Sequence, residues 1–300
     1  MFFLVSKLCF ALPLLVHVMH GGGFVVVPVE MLKQMTTIMD PQQLESYYGG
    51  PQALLLVVLL FRLAGLLEVL VAIGTFMLGD SKMGHMVQLV LGVVGMLALA
   101  TSVEAAFGVA STILEGSVAM PPGHREGLKY GVIANTVTTA LPFLGMMVTG
   151  GSNKGSVARA ASAPSRALLQ LYALLLGGAS LALLTWPKVV LSLMNEWFMA
   201  GQPLAQSSLG AVLQVLTARQ LAAAALPFAM LLSILKPTKR ALLLLTLFEV
   251  GVLYTGFTLL DSFPHRAIEL QQSMAFCGVM VVIIVVLFFT LPAEAQKKDQ

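Results

Sequence analysis

Long apolar runs broken by short polar stretches fill this chain from one end to the other. They cover Phe2 to Val27, Gln52 to Leu78, Met83 to Val103, Leu128 to Val148, Ala167 to Trp186, Ser208 to Leu235, Ala241 to Leu260 and Gln271 to Leu291. Each is close to or beyond the ~20 apolar residues that a helix needs to cross about 30 Å of hydrocarbon. The pattern predicts an all-α fold, a polytopic transmembrane helical bundle of about eight membrane helices. Two further stretches, Val29 to Asp40 and Lys188 to Met199, are amphipathic and directly follow Pro28 and Pro187, where a helix is expected to stop. They are read as lying along the interface, with Trp186, Trp197, Tyr47 and Tyr48 at headgroup level.

The polar punctuation recurs. Sliding the sequence by 157 positions places Arg62 on Arg219, Lys82 on Lys239, Thr101 on Thr258 and Glu104 on Asp261. The turn Gly79-Asp80-Ser81-Lys82 then meets the turn Lys236-Pro237-Thr238-Lys239. A shift of 159 carries Lys7 to Arg166 and Pro28 to Pro187, so the first run is expected to be a retained membrane helix rather than a cleaved signal. Apolar matches mean little in so Leu- and Ala-rich a chain, and the charges carry the case for duplication. The organisation expected is a first four-helix repeat over 1–149, a basic Gly/Ser/Ala-rich linker over 150–166, a second repeat over 167–292 and a polar tail over 293–300. Four helices per copy is an even number, so the repeats are parallel.

Composition narrows the function classes. Charged residues make up 10% of the chain against 58% apolar, where soluble domains carry about 25% charge. The net charge is +3 and the basic residues are dispersed through short loops, which leaves no footprint for nucleic acid. Cys9 and Cys277 both sit within apolar runs, which argues against a disulfide framework or a thiolate metal site. One side of the expected topology holds ten basic residues: Lys7, Lys82, Lys154, Arg159, Arg166, Lys236, Lys239, Arg240, Lys297 and Lys298. The other holds five, Lys33, Arg125, Lys129, Lys188 and Arg266, with most of the acids. That bias places both termini on the cytoplasmic, matrix or stromal side.

Polar groups at membrane depth are expensive and are therefore functional candidates. At about 1.5 Å per residue, Glu68 and Glu249 fall roughly 17 to 19 Å from the inner turns, near the midplane. His17 and His20 share one helix face near that depth, and Asn135 follows on the fourth helix with Thr136, Thr138 and Thr139. Gly21-Gly22-Gly23 could let the first helix unwind there. One reading gathers these groups into a cluster that carries protons or a small cation. A variant has His17 or His20 ligating haem or a metal. The plainer reading keeps each acid protonated and hydrogen-bonded to a neighbouring helix, with the glycines marking close packing. Arg62 and Arg219 lie near the outer surface, where interfacial ion pairs with Glu104 and Asp261 would close each hairpin. No HExxH, GxSxG, GxxxxGK[ST] or CxxCH motif is present, so neither an enzyme nor a bound metal or cofactor is expected.

With a first helix ending near a proline, an interfacial stretch, a tight hairpin carrying Arg62 or Arg219 and a last helix, each half resembles the DoxX-like four-helix membrane modules. The resemblance covers most of residues 1–148 and 167–292. It implies the fold and an accessory role in a membrane, and it assigns no functional residue. The function expected first is a non-enzymatic accessory or scaffolding subunit that packs against other membrane subunits in the lipid bilayer. The alternative is a transporter or channel for protons, a cation or a small solute.

Overall fold

The computed structural model describes residues 2–107, 122–149, 163–198, 208–235, 238–260 and 267–291, with side chains over 4–99, 130–149, 163–194, 214–235, 238–260 and 267–291. The described residues form eleven helices and no strand: α1 (Phe2–Val26), α2 (Pro28–Thr36), α3 (Pro41–Tyr48), α4 (Pro51–Leu78), α5 (Lys82–Phe107), α6 (Pro122–Val148), α7 (Ala163–Thr185), α8 (Pro187–Phe198), α9 (Ser208–Ile234), α10 (Lys239–Leu259) and α11 (Ala267–Thr290). Eight of them, α1, α4 to α7 and α9 to α11, are long and apolar enough to span a membrane. The chain is an integral, multi-pass helical membrane protein.

Helix boundaries follow from local chemistry. Pro28, Pro41, Pro51, Pro122 and Pro187 each open a helix, where the absent N–H is not needed and φ is already set. The α4–α5 hairpin turns at Gly79, whose positive φ of 69° suits glycine, and the Ser81 hydroxyl accepts the Gly84 N–H to cap α5. On the other hairpin Thr238 caps α10 in the same manner, accepting from Ala241 N. α3 was not expected from the pattern. Its signal was local: Asp40 accepts the Gln42 N–H and Pro41 follows as the first helical residue. α3 packs on α4, so Tyr47 and Tyr48 are buried with Leu44 and Phe61 rather than turned to headgroups. Burial pushes both phenol hydroxyls up from their ordinary value. Trp186, by contrast, is exposed as expected of a belt residue, and the Trp197 side chain lies outside the described residues.

The bundle is organised around α4 and α9. Of the residues in their most apolar stretches, 61% and 67% are buried, against 6% for α11. α4 packs on α1 and α9 and more lightly on α10, while α9 packs on α7, α4 and α5. α5 pairs with α6, and α10 with α11. The main core joins Leu67, Leu70 and Val71 of α4 to Phe228, Leu231 and Leu232 of α9 and Leu242, Leu244 and Leu245 of α10. The exposed Phe276, Val279, Val282 and Phe289 of α11 are the surface that bilayer tails wet without penalty.

Of the linker expected over 150–166, residues 150–162 lie outside the described residues and 163–166 instead form the first turn of α7; the tail over 293–300 also lies outside them. The start of α1 meets the α4–α5 turn and the end of α6: Ser6 Oγ donates to Asp80 Oδ1 at 2.8 Å and lies 3.0 Å from Thr149 Oγ1. These three segment ends therefore share one face of the bundle.

Candidate functional site

Among the described residues, a cluster of buried polar side chains lies at a crossing of α1 and α4. α1 does not unwind at Gly21-Gly22-Gly23; it stays helical to Val26. The glycines act by their size instead. A Cβ at position 21 would stand 2.6 Å from Gly65 O, and one at 65 would stand 2.5 Å from Gly21 O, so the two backbones touch only because both residues lack side chains. Phe24 and Phe61 stack beside the crossing with centroids 4.5 Å apart. One turn from this contact, α1 presents His17 and His20 on one face and α4 presents Glu68.

The carboxylate spans both rings. His17 Nδ1 lies 2.6 Å from Glu68 Oε1 and His20 Nδ1 lies 2.9 Å from Glu68 Oε2. Each carboxylate oxygen thus has one imidazole N–H to accept, which offsets the large penalty of burying an ionised group in apolar surroundings. The cluster has two natural forms that differ by a single proton, one with both rings neutral and one with a ring protonated to pair with the carboxylate. Its exposure is graded: the side chains of His17 and Glu68 are 6% and 13% exposed and that of His20 is 51%. His17 Nε2 is buried and has no partner. A cavity of about 70 Å³, room for a few waters, adjoins all three and is lined also by Asn135 of α6 and Gln220 of α9. Asn135 Nδ2 donates to Gly131 O at 2.9 Å, so Asn135 belongs to the wall rather than to the hydrogen-bonded cluster.

Of the expected intramembrane cluster, His17, His20 and Glu68 come together and Asn135 lines their cavity. Glu249 does not join them. It sits on α10, 4% exposed, where Tyr172 of α7 donates its hydroxyl to Oε1 at 2.6 Å and Oε2 has no partner. Its depth matched that of Glu68, but α10 turns it toward α7 instead of α1. Arg62 Nη1 donates to Thr258 Oγ1 of α10 at 2.8 Å, since α4 leans on α10 as well as on α5. Arg219 is partly buried on α9, and its expected partner Asp261 and the Glu104 side chain lie outside the described residues.

Sequence reasoning passed over one group entirely. His85 of α5, fully buried, has Nε2 2.9 Å from Asp80 Oδ1, and Asp80 also accepts from Ser6. The signal was a histidine five residues past a turn acid in an otherwise apolar helix. Gln88, one turn further along, donates its amide to Phe10 O at 3.0 Å.

No protein-family model, curated protein or solved structure matches the chain. Among the described residues no group of three His, Cys, Asp or Glu side chains is arranged to hold a metal ion.

Proposed function

We propose that this membrane protein moves protons across its bilayer, with Glu68 as the group that takes up and releases them and His17 and His20 as its donors and acceptors. The observation that carries the reading is the bridged carboxylate: one buried acid at mid-membrane depth, hydrogen-bonded through both oxygens to two titratable rings beside a cavity. A group that only tied helices together would need one partner and no cavity. His20 is half-exposed and stands about 9 Å of helix from the end of α1, so it connects the buried pair to the side opposite the α4–α5 turn. We place the termini on the cytoplasmic, matrix or stromal side from the lysine and arginine bias, and read the two halves as parallel copies, a reading supported by α1 packing on α4 as α7 packs on α9.

The test is proton flux into proteoliposomes that hold a trapped pH-sensitive dye under an imposed potassium diffusion potential. The wild-type protein is expected to exceed protein-free vesicles, Glu68→Gln to fall to their level, and His17→Asn to fall between. Flux that is absent in the wild type, or equal in folded Glu68→Gln protein, overturns the proposal.

A second reading has its own support. Glu249 is packed against Tyr172, which donates its hydroxyl, with the Cys277 thiol of α11 beside it, as an accessory or scaffolding subunit would keep its buried acids. On that reading the second half serves to bind another membrane subunit.

A further inference from the structure

Buried polar atoms are nearly always hydrogen-bonded, to protein or to internal water. Among the described residues seven buried side-chain nitrogens and oxygens have no protein partner, and four of these are His17 Nε2, Thr75 Oγ1, His85 Nδ1 and Gln88 Oε1. Those four fall on one seam. Thr75 is seven residues along α4 from Glu68 and shares its face, and His85, Gln88 and Leu91 follow one another at three-residue spacing on α5. α5 meets α1 along that stripe: the His85 ring packs edge-on against Phe10 with centroids 5.6 Å apart, and Gln88 bonds Phe10 O.

Their heights form a ladder. Counting 1.5 Å per residue from Asp80, His85 and Thr75 stand about 7.5 Å above the turn, Gln88 about 12 Å and Glu68 about 18 Å; counting from Ser6, which bonds Asp80, His17 stands about 16.5 Å up. Leu91, one turn above Gln88, already lines the cavity that holds His17 and Glu68. Along the bundle axis the steps above His85 are about 4.5 to 6 Å in height, and waters between the helices would link groups at those levels. At the foot, Asp80 is partly exposed and is held by Ser6 and His85.

We infer that Asp80, His85, Gln88 and Thr75 form the proton path between the aqueous face at the α4–α5 turn and Glu68. This inference rests on the reading of Glu68 as a proton carrier and assigns residues that reading leaves out. In each passage the Asp80 carboxyl transfers its proton to His85 Nε2, making an imidazolium. The imidazolium turns about its Cβ–Cγ bond, and Nε2 releases the proton it took from Asp80 into waters bonded to Gln88 and Thr75. Those waters deliver one to the Glu68 carboxylate, and Asp80 regains a proton from bulk water, so Nδ1 keeps its own proton and the ring turns back in its starting tautomer. That turn takes place on a face where residue 145 of α6 is glycine and any Cβ would strike the ring.

The experiment is the same proteoliposome flux, with Gln88→Met, His85→Asn and Gly145→Ala beside Glu68→Gln. Gln88→Met keeps volume while removing the polar atoms, so it stays informative where a histidine variant fails to fold. Gln88→Met and His85→Asn are each expected to slow flux by about tenfold or more, and Gly145→Ala to slow it less. Wild-type flux in folded Gln88→Met and His85→Asn, with Glu68→Gln still blocked, overturns the path and leaves Glu68 as the carrier. Flux indifferent to Glu68→Gln, or absent in the wild type, overturns the carrier reading and the path with it.

Discussion

Glu68 and Glu249 lie at similar depth on α4 and α10, and they lead different lives. Glu68 has both oxygens occupied by histidine nitrogens, a half-exposed partner in His20 and a cavity at its side. Glu249 has one phenol, one unpartnered oxygen and no share in that cavity. The partners of a midplane acid are thus decided by the helix it faces. The first half of the chain supplies glycines that bring the α1 histidines to the carboxylate, while the second half presents Tyr172.

That contrast can be broken in order of force. Glu68→Ala is expected to destabilise most, by about 3 to 5 kcal/mol in thermal or denaturant melts in detergent, because it strips a buried charged group from two rings. A loss no larger than that of Glu249→Ala would end the distinction. Gly65→Ala, with its Cβ forced onto the Gly21 carbonyl, is expected to lose about 1 to 3 kcal/mol by overpacking and to reduce flux as well by parting the rings from Glu68. Tyr172→Phe leaves a buried acceptor unmet and is expected to lose about 1 to 3 kcal/mol with flux unchanged. The mildest change, Glu249→Gln, keeps an acceptor for the phenol and is expected to shift stability by about 1 kcal/mol or less. Flux that follows Glu249→Gln as it follows Glu68→Gln would place both acids on one route.

The spans were legible because the bilayer imposes a length and an apolar content on each crossing, and prolines at 28, 51 and 187 mark their ends. The shared face of His17 and His20 was equally legible, since three residues is nearly one turn. Their partner was not. Depth alone left Glu68 and Glu249 equivalent, and only the crossing of α1 on α4 chose between them. Of the two readings of the glycines at 21 to 23, unwinding and close packing, the structure keeps the helix intact and shows packing, with Gly21 against Gly65 and Gly23 against Met31. His85 escaped notice because nothing in α5 itself reveals that Asp80 folds back beneath it.

What the sequence by itself determined is that this chain crosses a membrane about eight times, with which segments and with which polar residues at depth. Hydrophobic length and helical periodicity are local quantities, fixed within twenty or so residues. The tertiary structure alone decided which polar side chains meet: His17 and His20 with Glu68, Tyr172 with Glu249, Arg62 with Thr258. Those pairings depend on inter-helix contacts between residues 48 to 196 positions apart, set by small residues at crossings that no single helix can reveal.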